Sequence, residues 1–599
     1  MDKKNIILGL ALLGGAFAVM FWQGKQYDII EPVQKKEVSE LPAELRPEAV
    51  SDLTGKTGEK SSGLFEVVTP VTMEQGEAKT EKVYTLENEA LIVRFTDQGG
   101  GIKDVALKKY PLTQESDAPF VFNAFSPAPA LGLGFQDAQG VFKNYAPSYE
   151  LVSQTKDKIL FSAKTPEGVK ILRGYKLDMT EKEGDPYVIH HETRFVNNSN
   201  EALNLKKLLV SMGSMPPTKG DTFGEYLNVG YYNGKDAEFI KVGQFKGSKG
   251  FLGFGRRDSV DLIKETVNNI QWGSVKNQFF ATVLTPDEPA VAIVAAPVDV
   301  GMASGDKDLN EGMTGSLEMQ LGVIAPSQER LLSLDYYVGP KEFTRLDKLG
   351  KKQDLVMQFG FFGIISKFLL LIMTAIHSVV PNWGVTIIIV TIIIKLILWP
   401  LTAVQVKSSK RMATIQAPLK ALKEKYKNNP QKLQMETMKL FKANKVNPAA
   451  GCLPLLVQLP IFLGLYFMLR TSSELRYAPF LWINDLSVPD TVGFIMGFPI
   501  NILPLLMAAS MFFQMKMTPS PMTDNAQKKI FQLMPFIFLV FCYNFPSGLV
   551  LYWTVQNLLT IVQSWITNRM KDPELVPVEV EASKGKGSGH LKTKMKKSK

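Results

Sequence analysis

Cysteine and histidine are scarce in this 599-residue chain: two cysteines, Cys452 and Cys542, and four histidines, His190, His191, His377 and His590. The cysteines lie far apart in apolar runs, so they read as packing residues rather than a disulfide or a metal site. The histidines have no metal-ligand spacing with cysteines or carboxylates, and the adjacent His190 and His191 of a strand-like run point to opposite faces. No G-x-x-x-x-G-K-S/T loop is present; Gly55-Lys56-Thr57 lacks the earlier glycine and a following helix. The scattered carboxylates offer no convincing catalytic pair. These absences argue against nucleotide hydrolysis, a metal centre or any cofactor, and the chain is read as not an enzyme.

The charge is divided unevenly. Residues 351–599 hold 29 Lys/Arg against 11 Asp/Glu, a net +18, which leaves 39 against 47 and a net −8 for residues 1–350. An acidic, soluble-looking half precedes an apolar half with basic connectors, the pattern of a membrane protein with a large extramembrane domain.

Residues 1–23 carry Lys3 and Lys4 before the apolar run Ile6 to Trp22, long enough to anchor in a bilayer. Ala16-Phe17-Ala18 also fits a signal-peptide cleavage site, and either reading exports the chain beyond residue 23. The uncleaved anchor is favoured because the apolar run continues to Trp22. Residues 24–80 read as a flexible tether rich in Glu, Lys, Pro, Ser, Thr and Gly.

Residues 81–340 alternate with period two in short runs broken by turn residues. In Tyr187 to Phe195, Tyr187, Ile189 and Phe195 share one face, and Asn197-Asn198-Ser199-Asn200 ends the run. The expectation is a large exported antiparallel β-sandwich, structural or docking in role. Residues 341–382 form a connector and a helix lying in the outer membrane interface, with Lys367, His377 and a Pro381-Asn382 exit.

Residues 383–405 are as apolar as a membrane span yet contain Lys395. A lysine there costs roughly 2.5–3.5 kcal/mol on insertion scales, so such residues usually face a polar cavity or a partner. It lies about twelve residues into the span, roughly 18 Å. Snorkelling to the headgroups is the alternative, although a lysine reaches only about one helical turn.

Residues 406–447 read as a cytoplasmic helical hairpin. Met412, Ile415, Leu419, Leu422 and Tyr426 recur at spacings of three and four, and Asn428-Asn429-Pro430 marks the turn. Leu433, Met438 and Phe441 are expected on the returning face, with a kink at Pro418. Residues 406–450 carry 11 Lys/Arg against Glu424 and Glu436, which places the loop in the cytoplasm. Further spans are expected over residues 451–470, 492–513, 530–544 and 547–567, followed by a basic tail, 571–599. Together these make a polytopic α-helical membrane protein with six spans and both termini cytoplasmic.

Trp383-Gly384, Trp399-Pro400-Leu401-Thr402, Gly451 to Phe462, Leu475 to Ile483 and Phe545 to Trp553 together resemble the YidC family of membrane protein insertases, closely over about residues 360–570. The exported β-domain looks like the periplasmic domain of Gram-negative members, whose fold resembles sugar-mutarotase sandwiches. The resemblance implies an insertase core, residues 383–570, of five transmembrane helices around a hydrophilic groove, in the bacterial inner membrane. The positive residue of that groove, usually arginine in the family, aligns with Lys395. Thr391, Gln458, Phe462, Tyr552 and Trp553 align with groove-lining positions, and Gln556 is read with them as a polar residue of the last span. Lys410, Arg411, Lys423 and Lys425 of the hairpin, with the basic tail, would receive the ribosome or its targeting factor. Nascent membrane proteins, the Sec translocon and membrane lipids are the other implied partners. The alternatives are a secondary transporter with an exported β-domain, for which no paired repeats are visible, and an exported carbohydrate enzyme on an anchor.

Overall fold

The structure, a computed structural model, describes residues 81–569 except 125, 127, 137–141, 206, 219–220, 222–223, 248–257, 302–309, 445–452 and 518–524, and adds Phe65–Glu66. The expected anchor, most of the expected tether and the basic tail lie outside the described residues, as does Cys452. The chain divides into two units, Met1–Phe359 with Arg470–Arg476, and Gly360–Leu469 with Tyr477–Lys599.

The first unit is the expected antiparallel β-structure. A nine-stranded sheet has Val188–Asn197 and Glu329–Pro340 adjacent near its centre, and a six-stranded sheet is built around Ala290–Asp299, Glu311–Met319 and Leu208–Met215. The sheets face one another: Thr282 Oγ1 and Tyr336 Oη of the first donate to the Met212 carbonyl of the second, at 3.2 and 2.7 Å. Gly273 permits this approach, since a Cβ there would lie 2.7 Å from Leu317 Cδ2 and from Met212 Sδ. Phe65–Glu66, within the stretch read as tether, pairs with Leu205 and Asn204.

The alternation of Tyr187 to Phe195 holds, with a polar twist. Ile189, His191, Thr193 and Phe195 all point inward. His191 stacks on Tyr175 at 4.2 Å between centroids. Burial and the neighbouring Arg173 hold its pKa well below the ordinary value, so it is a neutral core group. His190, on the opposite face, sits between Asp335 (2.7 Å) and Asp178 (3.2 Å), and its pKa is raised chiefly by the Asp335 hydrogen bond.

Lys341 is fully buried at the end of the long strand Glu329–Pro340, donating to the carbonyls of Gln278 (2.9 Å) and Asn277 (3.3 Å). Burial lowers its pKa from 10.5 to about 7, opposed by Asp221. Between those two values the unfolded chain binds the extra proton, so this group makes stability rise with pH from about 7 upward. Lys276, also fully buried, is shifted the same way by burial and by Lys341. The β-unit's urea midpoint is therefore expected to rise between pH 7 and 9. Lys341→Met should flatten the slope by up to about 1.4 kcal/mol per pH unit. An unchanged slope in that variant would mean that Lys341 does not titrate in this window.

The second unit is helical. After the short α1, Phe343–Lys348 of the first unit, come α2 (Gly363–His377), α3 (Trp383–Ile397), α4 (Trp399–Thr414), α5 (Gln416–Lys425) and α6 (Pro430–Ala443). They are followed by α7 (Leu453–Thr471), α8 (Ile502–Met517), α9 (Asn525–Cys542) and α10 (Ser547–Asn568). Among the described residues no helix is long and apolar enough to cross a membrane. The run expected as one span over 383–405 is interrupted at Leu398, because Pro400 has no N–H for the Leu396 carbonyl. Residues 492–501, expected as the start of a span, instead form a β-hairpin, Thr491–Ile495 with Phe498–Asn501, and the helix begins only at Ile502. Gly493, the Met496-Gly497 turn and Pro499 set the strand and turn geometry there.

The α5–α6 hairpin packs on the expected seam. Met412, Ile415, Leu419, Leu422 and Leu440 form its core, with Tyr426, Leu433 and Phe441 against it. Met438 is exposed instead: five residues from Leu433, it falls on the far side of the helix. Pro418 does not kink a helix interior. The chain breaks at Ile415, and Pro418 occupies the first turn of α5, where its missing N–H is tolerated. Asn429 caps α6 by accepting from Lys432 N at 3.0 Å, with Pro430 at the first helical position.

Candidate functional site

Helix α3 starts at Asn382, whose side chain accepts from Val385 N at 3.0 Å. Its packed face comprises Gly384, Ile387, Thr391, Ile394 and Lys395 at helical spacing, while Ile392, Leu396 and Ile397 are exposed. Lys395 therefore lies on the packed face, only 4% exposed. Its Nζ donates to Thr560 Oγ1 of α10 at 2.8 Å.

Helices α2, α3, α4 and α7 to α10 contain no aspartate or glutamate. No carboxylate among the described residues pairs with Lys395. A hydroxyl satisfies one of its three donors and neutralises none of its charge.

Thr560 belongs to a polar stripe along α10: Tyr552, Gln556, Thr560, Gln563 and Thr567, at steps of four, four, three and four. The stripe rises about 22 Å along one face. All but Gln556 meet a different partner from another helix. Gln458 Nε2 of α7 donates to Tyr552 Oη. Gln563 Nε2 donates to Thr402 Oγ1 of α4 at 2.6 Å. Lys410 of α4, 8% exposed, donates to the Thr567 carbonyl at 2.8 Å, where a helix C-terminus favours a cation. Between these, Gln556 leaves its Oε1 buried with no hydrogen-bond partner among the described residues. A buried amide oxygen without a donor is expensive, so it is the open acceptor of the stripe.

Gln458 and Phe462, one turn apart on α7, both face α10. Phe462 packs edge-on to Trp553 at 4.7 Å, and Trp553 packs edge-on to Phe538 of α9, also at 4.7 Å. Thr391 is fully buried one turn before Lys395, and its hydroxyl is engaged by the Ile387 carbonyl at 2.6 Å. So Gln458, Phe462, Tyr552 and Trp553 form one cluster and Lys395 with Thr560 another, with Gln556 on α10 between them. Thr560 and Thr402 are the contributors sequence reasoning missed. The regular spacing of Tyr552, Gln556 and Thr560 was the available signal. Lys423 and Lys425 are exposed on α5 and Arg411 is half-buried, whereas Lys410 turns to α10.

Residues 375–574 match the family described as 60Kd inner membrane protein, and residues 83–372 match the YidC periplasmic domain. A protein of Syntrophus aciditrophicus named membrane protein insertase YidC is 32% identical over 587 residues, covering 95% of this chain and 100% of its own. One of the same name from Polynucleobacter asymbioticus is 32% identical over 498 residues, covering 81% and 84%. A third, from Actinobacillus pleuropneumoniae serotype 3, reaches 40% over 299 residues, covering 50% and 52%.

Proposed function

The chain belongs to the YidC family of membrane protein insertases, and we propose that it inserts inner-membrane proteins through a polar groove formed by α3, α7 and α10, with Lys395 as its charge. The observation that carries this reading is Lys395 itself: buried, bonded to a hydroxyl, and surrounded by helices without a single carboxylate. A buried cation with no counter-charge among the described residues is complementary to an acidic group brought from outside. The acidic residues of a client's hydrophilic tail supply one. Gln458, Tyr552 and Gln556 extend the polar path, and the open Gln556 oxygen accepts from water or a client amide.

Two of the helices fit this role by being short. At 1.5 Å per residue, α3 and α8 span about 22–24 Å against a hydrocarbon core of about 30 Å. Such mismatch thins the bilayer locally and shortens the apolar path a polar tail must cross. With the N-terminal anchor and the paired α3–α4, we place α7, α8, α9 and α10 as the remaining spans of a six-span inner-membrane protein, with both termini cytoplasmic and the β-unit in the periplasm. No nucleotide is required. Burying about 20 apolar residues of a client at roughly −0.3 to −0.6 kcal/mol each supplies the driving force. The α5–α6 hairpin, with Arg411, Lys423 and Lys425, and the basic tail meet the ribosome or targeting factor and anionic lipids, and the Sec translocon hands over larger clients. The transporter alternative is not favoured.

Depletion of the protein, followed by protease protection of a short-tailed single-span client, tests the proposal. On depletion the client's tail should remain on the cytoplasmic side instead of reaching the periplasm. Unimpaired insertion on depletion would refute the function.

A further inference from the structure

The β-hairpin that replaces the start of an expected span has an unusual tip. Strands Thr491–Ile495 and Phe498–Asn501 are joined by Met496-Gly497, with φ of +50° and +80°. Two successive positive φ values make the two-residue turn that strongly favours Asn-Gly. Here a long apolar side chain occupies the left-handed position that L-residues avoid. Met496 is also fully exposed, and Phe494, Ile495 and Phe498 beside it are 61–71% exposed.

A second tip repeats the pattern. Phe480 and Ile483 exchange backbone hydrogen bonds of 2.8 and 2.9 Å around Leu481-Trp482, and Leu481 has φ of +54° and is 75% exposed. In water both tips would combine backbone strain with exposed apolar surface.

No exposed charge in this stretch holds it in water. From Tyr477 to Met515 there is no Lys, Arg, His or Glu, and its two carboxylates, Asp485 and Asp490, are buried. They serve the base of the structure. Asp490 Oδ2 accepts from Trp482 Nε1 (3.1 Å) and from Leu503 N at the start of α8 (2.7 Å). Asn501 donates to the Tyr543 carbonyl at 2.7 Å, and Tyr543 Oη donates to the Pro499 carbonyl at 2.6 Å. A rigid polar base thus presents an apolar tip, and the hairpin runs directly into α8, whose Leu505, Leu506, Phe512 and Phe513 are exposed apolar residues of the same chain segment.

We propose that the hairpin Thr491–Asn501 is a lipid-inserting finger whose Met496 tip enters the bilayer interface on the periplasmic side. The inference rests on the membrane-embedded reading of α8. Four to five residues per strand give a reach of about 13–17 Å, enough to carry the tip past the headgroups. The finger would brace the periplasmic end of α8 against the membrane, and its occupant is lipid, because the tip side chains are 61–103% exposed and continue the exposed apolar residues of α8.

The test uses the full chain in phosphatidylcholine nanodiscs, in a Cys452→Ser and Cys542→Ala background that still inserts clients. Bimane at Phe494→Cys should be quenched by lipids brominated near the headgroup end of their acyl chains. It should be less accessible to iodide than bimane at the exposed Val323→Cys on the β-unit. Adding Met496→Asn suits the turn better and should keep the hairpin, yet it should reduce the bromolipid quenching. A label at Phe512→Cys separates the finger from the membrane reading of α8. Bromolipid quenching at residue 512 but not 494 overturns the finger while the membrane reading of α8 stands. Quenching at neither overturns both. Protection of residue 494 only on adding a client protein would assign the tip to protein and overturn the lipid assignment.

Discussion

Replacing Lys395 with alanine is expected to reduce insertion of clients with acidic tails by about tenfold, because a loss of only about 1.4 kcal/mol of attraction suffices for that factor. The available attraction is larger. Two unit charges 4 Å apart interact by about 4 kcal/mol at an effective dielectric near 20. Stability should move the other way. Lys395 is buried beside one hydroxyl with no carboxylate among the described residues, so its charge is a burden on the folded state. Lys395→Met, which nearly conserves volume, should leave the protein as stable or more stable while insertion of acidic-tailed clients falls. That opposition separates a working charge from a structural one, since a structural lysine would lose stability and activity together. Lys395→Arg keeps the charge and should retain activity. Clients with neutral tails should be affected least. Protease protection of paired acidic and neutral clients, alongside thermal denaturation of each variant, reads all of these. Equal insertion by the alanine variant on every client would remove the charge from the mechanism.

Much of the architecture of each unit is legible in the amino-acid order. The seam of Met412, Ile415, Leu419 and Leu422 repeats at helical spacing, and those side chains are buried together. The alternation from Tyr187 to Phe195 gives a strand with one inward face. Periodicity works in these places because one face meets protein and the other water.

It fails where both faces are apolar. Over residues 492–513 nothing in the hydropathy separates strand from helix, and the glycines and Pro499 that make a hairpin are weak signals within a long apolar run. Thr560 was missed for a related reason. A threonine in an apolar helix reads as β-branched filler, and only its register with Tyr552 and Gln556 reveals a stripe. Lys410 shows the limit of counting charge. It adds to the basic excess of the loop, yet its ammonium is directed to the Thr567 carbonyl.

The contact of Gly384 with Phe480 lies beyond sequence reasoning, and substitution of this glycine is expected to be the most damaging single methyl among the described glycines of the helical unit. A Cβ at this second residue of α3 would lie 2.1 Å from Phe480 Cγ, 2.2 Å from Cδ2 and 2.6 Å from Cβ. The ring alone cannot swing clear, because the Phe480 Cβ is itself too close and the Phe480 backbone is pinned to Ile483 by two hydrogen bonds. Gly384→Ala must therefore push the turn at Leu481-Trp482 away from α3 or tilt α3 itself. Overpacking of this kind costs about 1–3 kcal/mol and occasionally more. For a unit of this size that lowers the melting temperature by roughly 2–12 °C. Tilting α3 moves Lys395, three turns further along the same face, relative to Thr560, so insertion should fall as well. The double-mutant cycle with Phe480→Ala isolates the contact. Phe480→Ala will itself destabilise by leaving a cavity, but in that background the added methyl has room, and the Gly384→Ala step should shrink to within about 0.5 kcal/mol of neutral. An undiminished penalty in the Phe480→Ala background would place the fault in helix initiation at Asn382 rather than in the contact with Phe480.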